Sequence, residues 1–570
     1  MGRYNLLDER WISVISGENG HTKLLSLKEV FSEAADCYDL AGEMKTQDFA
    51  VLRVLLAVLH TVFSRFDADG KPYEMLAIDE ETDQQLDPVE EEDREDYADA
   101  LLDTWLRLWR RGNFPEIVQE YLECWRDRFY LFDDVYPFYQ VTEKDTGRLA
   151  EGKKNFFGKN INRTISESSN KIALFAPVNG TGGAKDRLKY DQLVRWLITY
   201  QGYAGTADKE KVRAYGGTCS KGWLYDLGGI YLRGENLFET LLLNCCLVDP
   251  EQEEPRMEIP AWERTPRENV EIYFDHAVNN RASLYTSWAR IVCFDRDFQE
   301  GEPFSCFVAK LPEINHVQNF LEPMTCWTKA KSGPNKDYFT PQKHCAEEAM
   351  WRHFSVIMGL RGESADDARR PGVIRWLGEI GREIRESEKN RVRICAVSMK
   401  DDENATSWAP TDEIIDSIQL DAMIAADLAE DGWLKLINGV IVRTREVINR
   451  TLVRFLRDIS KIRGLDRKDD SLIKQGREDF YQRIDRSFRK WLSSLRMNSS
   501  KDKSAGAWYE ILERELSGYG ENLFRNASAR ELKGIKQDKD KNEKNSQFCC
   551  MPIAYNSFCY RVYREFHKEG

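Results

Sequence analysis

No CxxC pair occurs in this chain, although thirteen cysteines are spread along its 570 residues. Without one, the usual Cys/His zinc spacings are not available. Adjacent cysteines occur only at Cys245-Cys246 and Cys549-Cys550. A secreted disulfide framework is not expected in so long a chain, and the thiols read as reduced and mostly buried. Histidine is scarce as well. The seven are His21, His60, His276, His316, His344, His353 and His567, and none sits in HExxH. They read as surface or satisfied core residues. No GxSxG nucleophile turn is present. The glycine-rich run Asn179-Gly180-Thr181-Gly182-Gly183-Ala184-Lys185-Asp186 is not a P-loop, because Asp186 stands where Ser or Thr should hold the metal. Its glycines can still expose backbone N–H groups to phosphates.

Long apolar runs are missing too. The longest, Phe49 to Phe63, has 15 residues and contains Arg53 and His60. A membrane span needs roughly 20 mostly apolar residues, so this reads as a buried core helix with no membrane partner. Arg3, Asp8, Glu9 and Arg10 interrupt the N-terminal segment, so no secretion signal and a cytoplasmic location are expected. No repeat of fixed period is visible. These absences leave no catalytic, metal or cofactor motif, and no cofactor and no structural zinc are expected, while the abundant acidic residues leave a metal-dependent nuclease open.

Acidic residues are abundant but uneven. The net charge is −14, and Asp79 to Asp103 alone holds 13 acidic residues against Arg94, a local −12. From Ile441 to Ser500 there are 16 Lys and Arg against 8 Asp and Glu, a local +8. Nucleic-acid affinity follows local basic patches rather than the total. The acidic stretch reads as a solvated insertion. The basic stretch is either a solvent-facing helix surface or a nucleic-acid contact.

The length exceeds one core, and the texture divides at about residue 410. Residues 1–410 are mixed and loop-rich. Leu6, Trp11, Ile12, Val14 and Ile15 suit a short strand or hairpin. Thr46 is placed to cap a helix in which Phe49, Leu52, Leu55, Leu56, Leu59 and Phe63 follow helical spacing. Further helices are expected at Ala98–Trp109, Pro115–Arg128, Leu188–Gln201 and Leu237–Leu247. Strands are expected around Ala289–Phe294 and Phe304–Ala309. Residues 411–570 carry helical periodicity over Ile414–Arg457, Leu472–Leu495, Ala507–Phe524 and Ile553–Phe566, a bundle of about four helices. The fold class is therefore α+β: a mixed N-terminal domain, then a C-terminal four-helix bundle.

One block is more specific than the rest. Asn5-Leu6-Leu7-Asp8-Glu9-Arg10-Trp11-Ile12 is followed by Leu25-Ser26-Leu27, Leu40-Ala41-Gly42-Glu43 and Thr46-Gln47-Asp48-Phe49. Later pieces keep the same order: LFDDVYPFYQV, NINRTISESSNKIALF, the helix ending in Gly202-Tyr203-Ala204-Gly205, and GENLFETLLLN. This arrangement resembles the CasA family, the large subunit of the type I-E CRISPR Cascade surveillance complex. The likeness covers residues 1–65 and 130–245 best and thins between 250 and 410.

The resemblance implies a non-catalytic subunit of an antiviral ribonucleoprotein. Such a subunit recognises the short motif flanking a double-stranded DNA target, helps open the duplex and recruits a helicase-nuclease. Its partners would be the CRISPR RNA, the target DNA, and the backbone, small and handle-capping subunits. The family's minor-groove loop falls on Gly202, Tyr203, Ala204, Gly205 and Thr206. Glycines there allow close backbone approach, but they equally fit an ordinary helix stop. The strand wedge falls on Glu403, Asn404 and Ala405, a segment that also reads as a plain surface turn. Lys329 and Lys331, after Trp327, are the candidates for the family's groove lysine. Phe175, Val178 and Asn179 fall in the loop that touches the RNA handle, where Phe175 either stacks on a base or anchors the core. Arg443, Arg450, Arg454 and Arg457 are candidates for holding the DNA backbone. Two readings from other classes stay open: a metal-dependent nuclease among the acidic residues, and a scaffold without nucleic-acid contact.

Overall fold

The structure is a computed structural model. It describes residues 2–17, 20–149, 156–162, 186–205, 221–249, 254–275, 277–360, 368–381, 384, 391–401, 410–427, 429, 431–466, 468–538 and 546–567. Compactness divides the chain into two units. The first comprises Met1–Cys345, Val356–Glu383 and Val392–Ser417; the second comprises Ala346–Ser355, Ile384–Arg391 and Ile418–Gly570. The fold is α+β, as expected.

The first unit is built around the helix Lys45–Phe63. It is long and apolar enough to cross a membrane, yet it is wholly buried, which makes it a core helix. Its charged residues are paired inside. The Arg53 guanidinium donates to both Glu322 oxygens at 2.8 and 2.7 Å, and Trp223 Nε1 donates to the same carboxylate at 2.6 Å. Burial alone would raise the Glu322 pKa, but Arg53 and these hydrogen bonds outweigh it and hold the carboxyl below its usual range. The helix start corrects an expectation. Thr46 is not the cap; the flanking residue is Met44. The first-turn amides of Lys45 and Thr46 instead donate to the Glu413 carboxylate at 3.1 and 2.8 Å. A negative side chain from a distant strand thus serves the helix N-terminus, where orphan N–H groups and the helix dipole favour it.

The sheets are small. Ile12–Ser16 sits between Thr22–Leu25 and Cys37–Leu40, so the N-terminal strands occur where alternation placed them. Ser305–Lys310 sits between Phe156–Phe157 and Arg290–Phe294. Trp327–Lys329 sits between Phe339–Pro341 and Ala368–Arg369. The fourth sheet orders Pro410–Asp421, Arg391–Asp401 and Gly229–Arg233. The helical period read from Ile414 onward would start the first bundle helix here, but Pro410–Asp421 is a strand. The acidic insertion is packed rather than merely solvated. Val89, Tyr97 and Leu101 share a cluster with Tyr73, while the helix Arg94–Arg111 keeps Glu95, Asp96, Asp99 and Asp103 outside.

The second unit is a helical bundle. Among the described residues its long helices are Trp433–Arg450, Leu452–Arg463, Ser471–Ser494, Lys501–Arg525 and Met551–His567. The first two follow each other directly, broken only at Thr451, whose hydroxyl donates back to Val447 O at 2.6 Å. They form one interrupted arm of a four-helix arrangement. Aromatic packing fixes the interior: Phe488 meets Trp351 at 4.1 Å and Trp508 at 4.8 Å, and Phe455 stacks on Phe558 at 4.8 Å. Gly520 lets two helices close, since a Cβ there would lie 2.1 Å from Phe558 Cε1. Trp351 comes from Ala346–Ser355, a short segment far from the bundle in sequence, and its Nε1 donates to Asp485 at 2.8 Å.

Candidate nucleic-acid interface

The helix Tyr190–Tyr203 packs along the core helix and is tied to the N-terminal block by Arg195. That guanidinium donates to Trp11 O at 2.6 Å, Glu43 at 2.8 Å and Asp191 at 3.0 Å. The C-terminal end of this helix is where the groove loop is expected, and its described residues are packed rather than exposed. Gly202, Tyr203, Ala204 and Gly205 are buried. Gln201 accepts from the Ala289 and Arg290 amides at 2.9 Å and donates to Arg290 O at 3.0 Å. Arg290 donates to Gly205 O, and the Gly222 amide donates to Ala204 O at 2.9 Å. A Cβ on Gly202 would lie 2.7 Å from Leu224 Cδ1, and one on Gly222 would lie 2.4 Å from Gly202 O. The glycines are there because two backbones and a leucine meet. These four residues form a packing joint, not a surface loop. Thr206 lies outside the described residues.

The lysine candidates sit on a hairpin. Trp327–Lys329 pairs antiparallel with Phe339–Pro341, with Thr328 opposite Thr340. Trp327 is buried and anchors the base, with Phe320 edge-on to it at 5.3 Å and to Phe339 at 5.8 Å. The turn closes through Ala330 N to Tyr338 O at 3.0 Å and Asp337 N to Ala330 O at 2.9 Å. Gly333 at φ +82° and Asp337 at φ +69° supply the left-handed residues of the tip. Lys329 is half-buried, its ammonium 5.5 Å from the Phe339 ring. Residues 331–338 are all exposed. Lys331 therefore stands on a projecting tip, joined by Lys336, which sequence reasoning missed. The Ser332-Gly333-Pro334-Asn335 turn between the two lysines carried the signal, since it returns the chain and puts both at one tip.

The bundle arginines divide into two pairs. Arg443 is held by Glu565 at 2.9 Å and Arg450 by Glu446 at 3.2 Å. Arg454 and Arg457, three apart on one helix, are exposed, and no ion pair involves them among the described residues. Asp458 beside them is engaged by Arg561 at 3.2 Å. Residues 163–185 and 402–409 lie outside the described residues, and with them Phe175, Val178, Asn179, Glu403, Asn404 and Ala405. Among the described residues, no three His, Cys, Asp or Glu side chains group as metal ligands.

The family model for CRISPR-associated protein Cse1 matches residues 5–518. This chain belongs to the Cse1 family. The CasA resemblance read from the N-terminal block therefore holds. A curated relative, the CasA/Cse1 protein of Thermus thermophilus, is 26% identical over 363 residues, which is 63% of this chain and 61% of that protein. The crystal structure of Thermobifida fusca Cse1 has a TM-score of 0.75 at 21% identity, covering 99% of this Cse1-family chain and 98% of its own. A chain of a solved CRISPR RNA-guided surveillance complex has a TM-score of 0.65 at 12% identity, over 99% of this chain and all of that one. The α+β fold of this Cse1-family chain is thus shared along nearly its whole length.

Proposed function

We propose that this chain is the large, non-catalytic subunit of a cytoplasmic CRISPR RNA-guided surveillance complex. In this reading it recognises the motif flanking a double-stranded DNA target, helps separate the strands there, and offers a surface to a helicase-nuclease. The observation that carries the reading is family membership from residue 5 to 518. Two features of the surface support it. The hairpin tip presents Lys331 and Lys336 on a narrow projection, with Lys329 behind them. A strand ribbon with lysines fits a groove edge and its phosphates. Arg454 and Arg457 supply two exposed cations, without ion pairs among the described residues, for DNA backbone. Gly202–Gly205 is buried and is not itself assigned a DNA contact. Phe175, Val178 and Asn179 keep their proposed RNA-handle role, and Glu403, Asn404 and Ala405 their proposed wedge role.

Reconstitution tests the reading. The remaining subunits and CRISPR RNA are assembled with or without this chain, then titrated with target duplex bearing a permissive or a scrambled flanking motif. Motif-dependent binding is expected only when the chain is present. Equal discrimination without it would overturn the proposal. The nuclease alternative predicts plasmid cleavage by the isolated chain with divalent metal. The scaffold alternative predicts assembly without salt-sensitive DNA binding.

A further inference from the structure

Two arginines of the first unit depart from its habit of pairing buried cations. Arg53 and Arg65 are buried, and each holds a carboxylate with two hydrogen bonds. Arg128 and Arg264 are half-buried, and no ion pair involves either among the described residues. Both line one open cleft, together with Tyr136, Pro266 and Asn269, over a floor that includes Trp262. Its innermost space is about 20 Å³, enough for one water or one oxygen of a larger group.

Two turns put the arginines side by side. Arg128 ends the turn Arg126–Arg128, and Arg264 follows the turn Ala261–Glu263. The turns meet where Arg128 Nη1 approaches Arg264 O at 3.5 Å. The Arg128 guanidinium carbon stands 3.3 Å from the centre of the Tyr136 ring. One face of the guanidinium is therefore covered, and its N–H edge is what remains to bind. Arg264 donates from Nη2 to the Ser283 hydroxyl at 2.7 Å. Its Nη1 and Nε have no partner among the described residues and are not closed off from solvent. The floor is fixed from below. Trp262 Nε1 donates to the Tyr121 hydroxyl at 2.8 Å, and that hydroxyl donates at 2.5 Å to Glu263, the carboxylate that holds Arg65.

The acids close enough to act on the two arginines, Glu263, Glu268 and Asp127, form no ion pair with them. Glu263 is taken by Arg65 and Tyr121, Glu268 accepts from the Thr265 amide at 2.7 Å, and Asp127 is exposed. Burial therefore wins and holds the pKa of both arginines below the ordinary value, while each stays charged at physiological pH. Two cations drawn partly out of water with no counter-charge in contact are costly. The groups left to bind are N–H edges, which suit phosphate oxygens, and two positive charges suit a dianion better than a single carboxylate.

We propose that this cleft binds a phosphate dianion, as the free ion or as a terminal phosphomonoester, with Arg128 and Arg264 donating to its oxygens. One oxygen would enter the inner space and the others would stay at the mouth. The site shares no residue with the DNA contacts proposed above and goes beyond that function. Inorganic phosphate is titrated calorimetrically into the full chain at fixed ionic strength, in a buffer free of other oxyanions. Wild type is expected to bind it at a single site. Arg128→Gln and Arg264→Gln are each expected to weaken binding by about tenfold or more, as loss of a charge-assisted hydrogen bond implies. Arg267→Gln removes a neighbouring exposed cation that pairs with Glu271 and should leave binding unchanged. No binding by wild type would overturn the proposal. So would undiminished binding by Arg128→Gln, or an equal loss in Arg267→Gln. Should Arg264→Gln fail to fold without its Ser283 bond, Arg128→Gln decides alone. A 5′-phosphorylated dinucleotide and its 5′-hydroxyl counterpart then compete with phosphate. Displacement by the phosphorylated form alone assigns a nucleic-acid end, and displacement by neither assigns the free ion. Equal displacement by both would overturn the choice of a dianion.

Discussion

The arginines of the two units do different work. In the first unit Arg53, Arg65, Arg195 and Arg290 are buried, and each joins segments far apart in sequence: Arg53 to Glu322, Arg65 to Glu263, Arg195 to Trp11, and Arg290 to Gly205. In the bundle Arg454 and Arg457 face solvent without ion pairs among the described residues. A cation in a sequence is therefore not a cation on a surface. Part of the bundle's local surplus reaches solvent, at Arg454 and Arg457, whereas these four arginines of the first unit hold elements together.

This contrast can be broken most severely at Glu322. Glu322→Ala leaves Arg53 buried and unpaired, and a loss of about 3–5 kcal/mol is expected. Chemical denaturation of the isolated chain measures it; a loss below about 1 kcal/mol would mean water reaches the guanidinium. Asp48 is the next largest. Burial raises its pKa to about 6, against the opposing charge of Lys45. A folded pKa above the ordinary carboxylate value means the folded state holds the proton more tightly. The contribution to stability is thus full at low pH and is lost as pH rises through about 6. Relative to Asp48→Asn, wild type should lose on the order of 1–3 kcal/mol between about pH 4 and pH 7. A pH-independent difference would contradict the burial argument.

Gly202→Val comes third. Its side chain must displace Leu224, for an expected destabilisation of about 1–3 kcal/mol, read as a lower melting temperature. An unchanged melting temperature would return Gly202–Gly205 to the surface. The smallest stability effect belongs to the bundle. The double variant Arg454→Ala/Arg457→Ala should stay within about 0.5 kcal/mol of wild type. In the assembled complex it should lower the salt slope of DNA binding by about 2, one for each phosphate that an arginine no longer neutralises. An unchanged slope would remove both residues from the interface.

Much of this was legible in the sequence because it is local. Phe49 to Phe63 carries helical apolar spacing and is helical, and the strand expected around Ala289–Phe294 occurs at Arg290–Phe294. The misread strand shows the limit. Ile414, Ile415 and Ile418 satisfy a helical period, while Ile414, Ile418 and Leu420 satisfy an alternating one, and pairing with Arg391–Asp401 decides between them. Glu413, which serves the core helix from that strand, left no signal near Thr46. The Ala346–Ser355 segment was invisible as a bundle element for the same reason, since Trp351 meets Phe488 across more than a hundred residues. At the candidate site the glycines of 202–205 were visible but their neighbours were not. A glycine marks a close approach without saying whether DNA or Leu224 is approached. Lys331 was found by its type, and the hairpin that presents it was not.

The direct test compares hairpin with bundle in one experiment. Complexes carrying Lys331→Ala/Lys336→Ala or Arg454→Ala/Arg457→Ala are titrated with target duplexes bearing permissive and scrambled flanking motifs. The account predicts that the hairpin variant loses discrimination between motifs while still assembling, and that the bundle variant keeps discrimination but binds both duplexes more weakly. Full discrimination by the hairpin variant would contradict the assignment of motif reading to this tip.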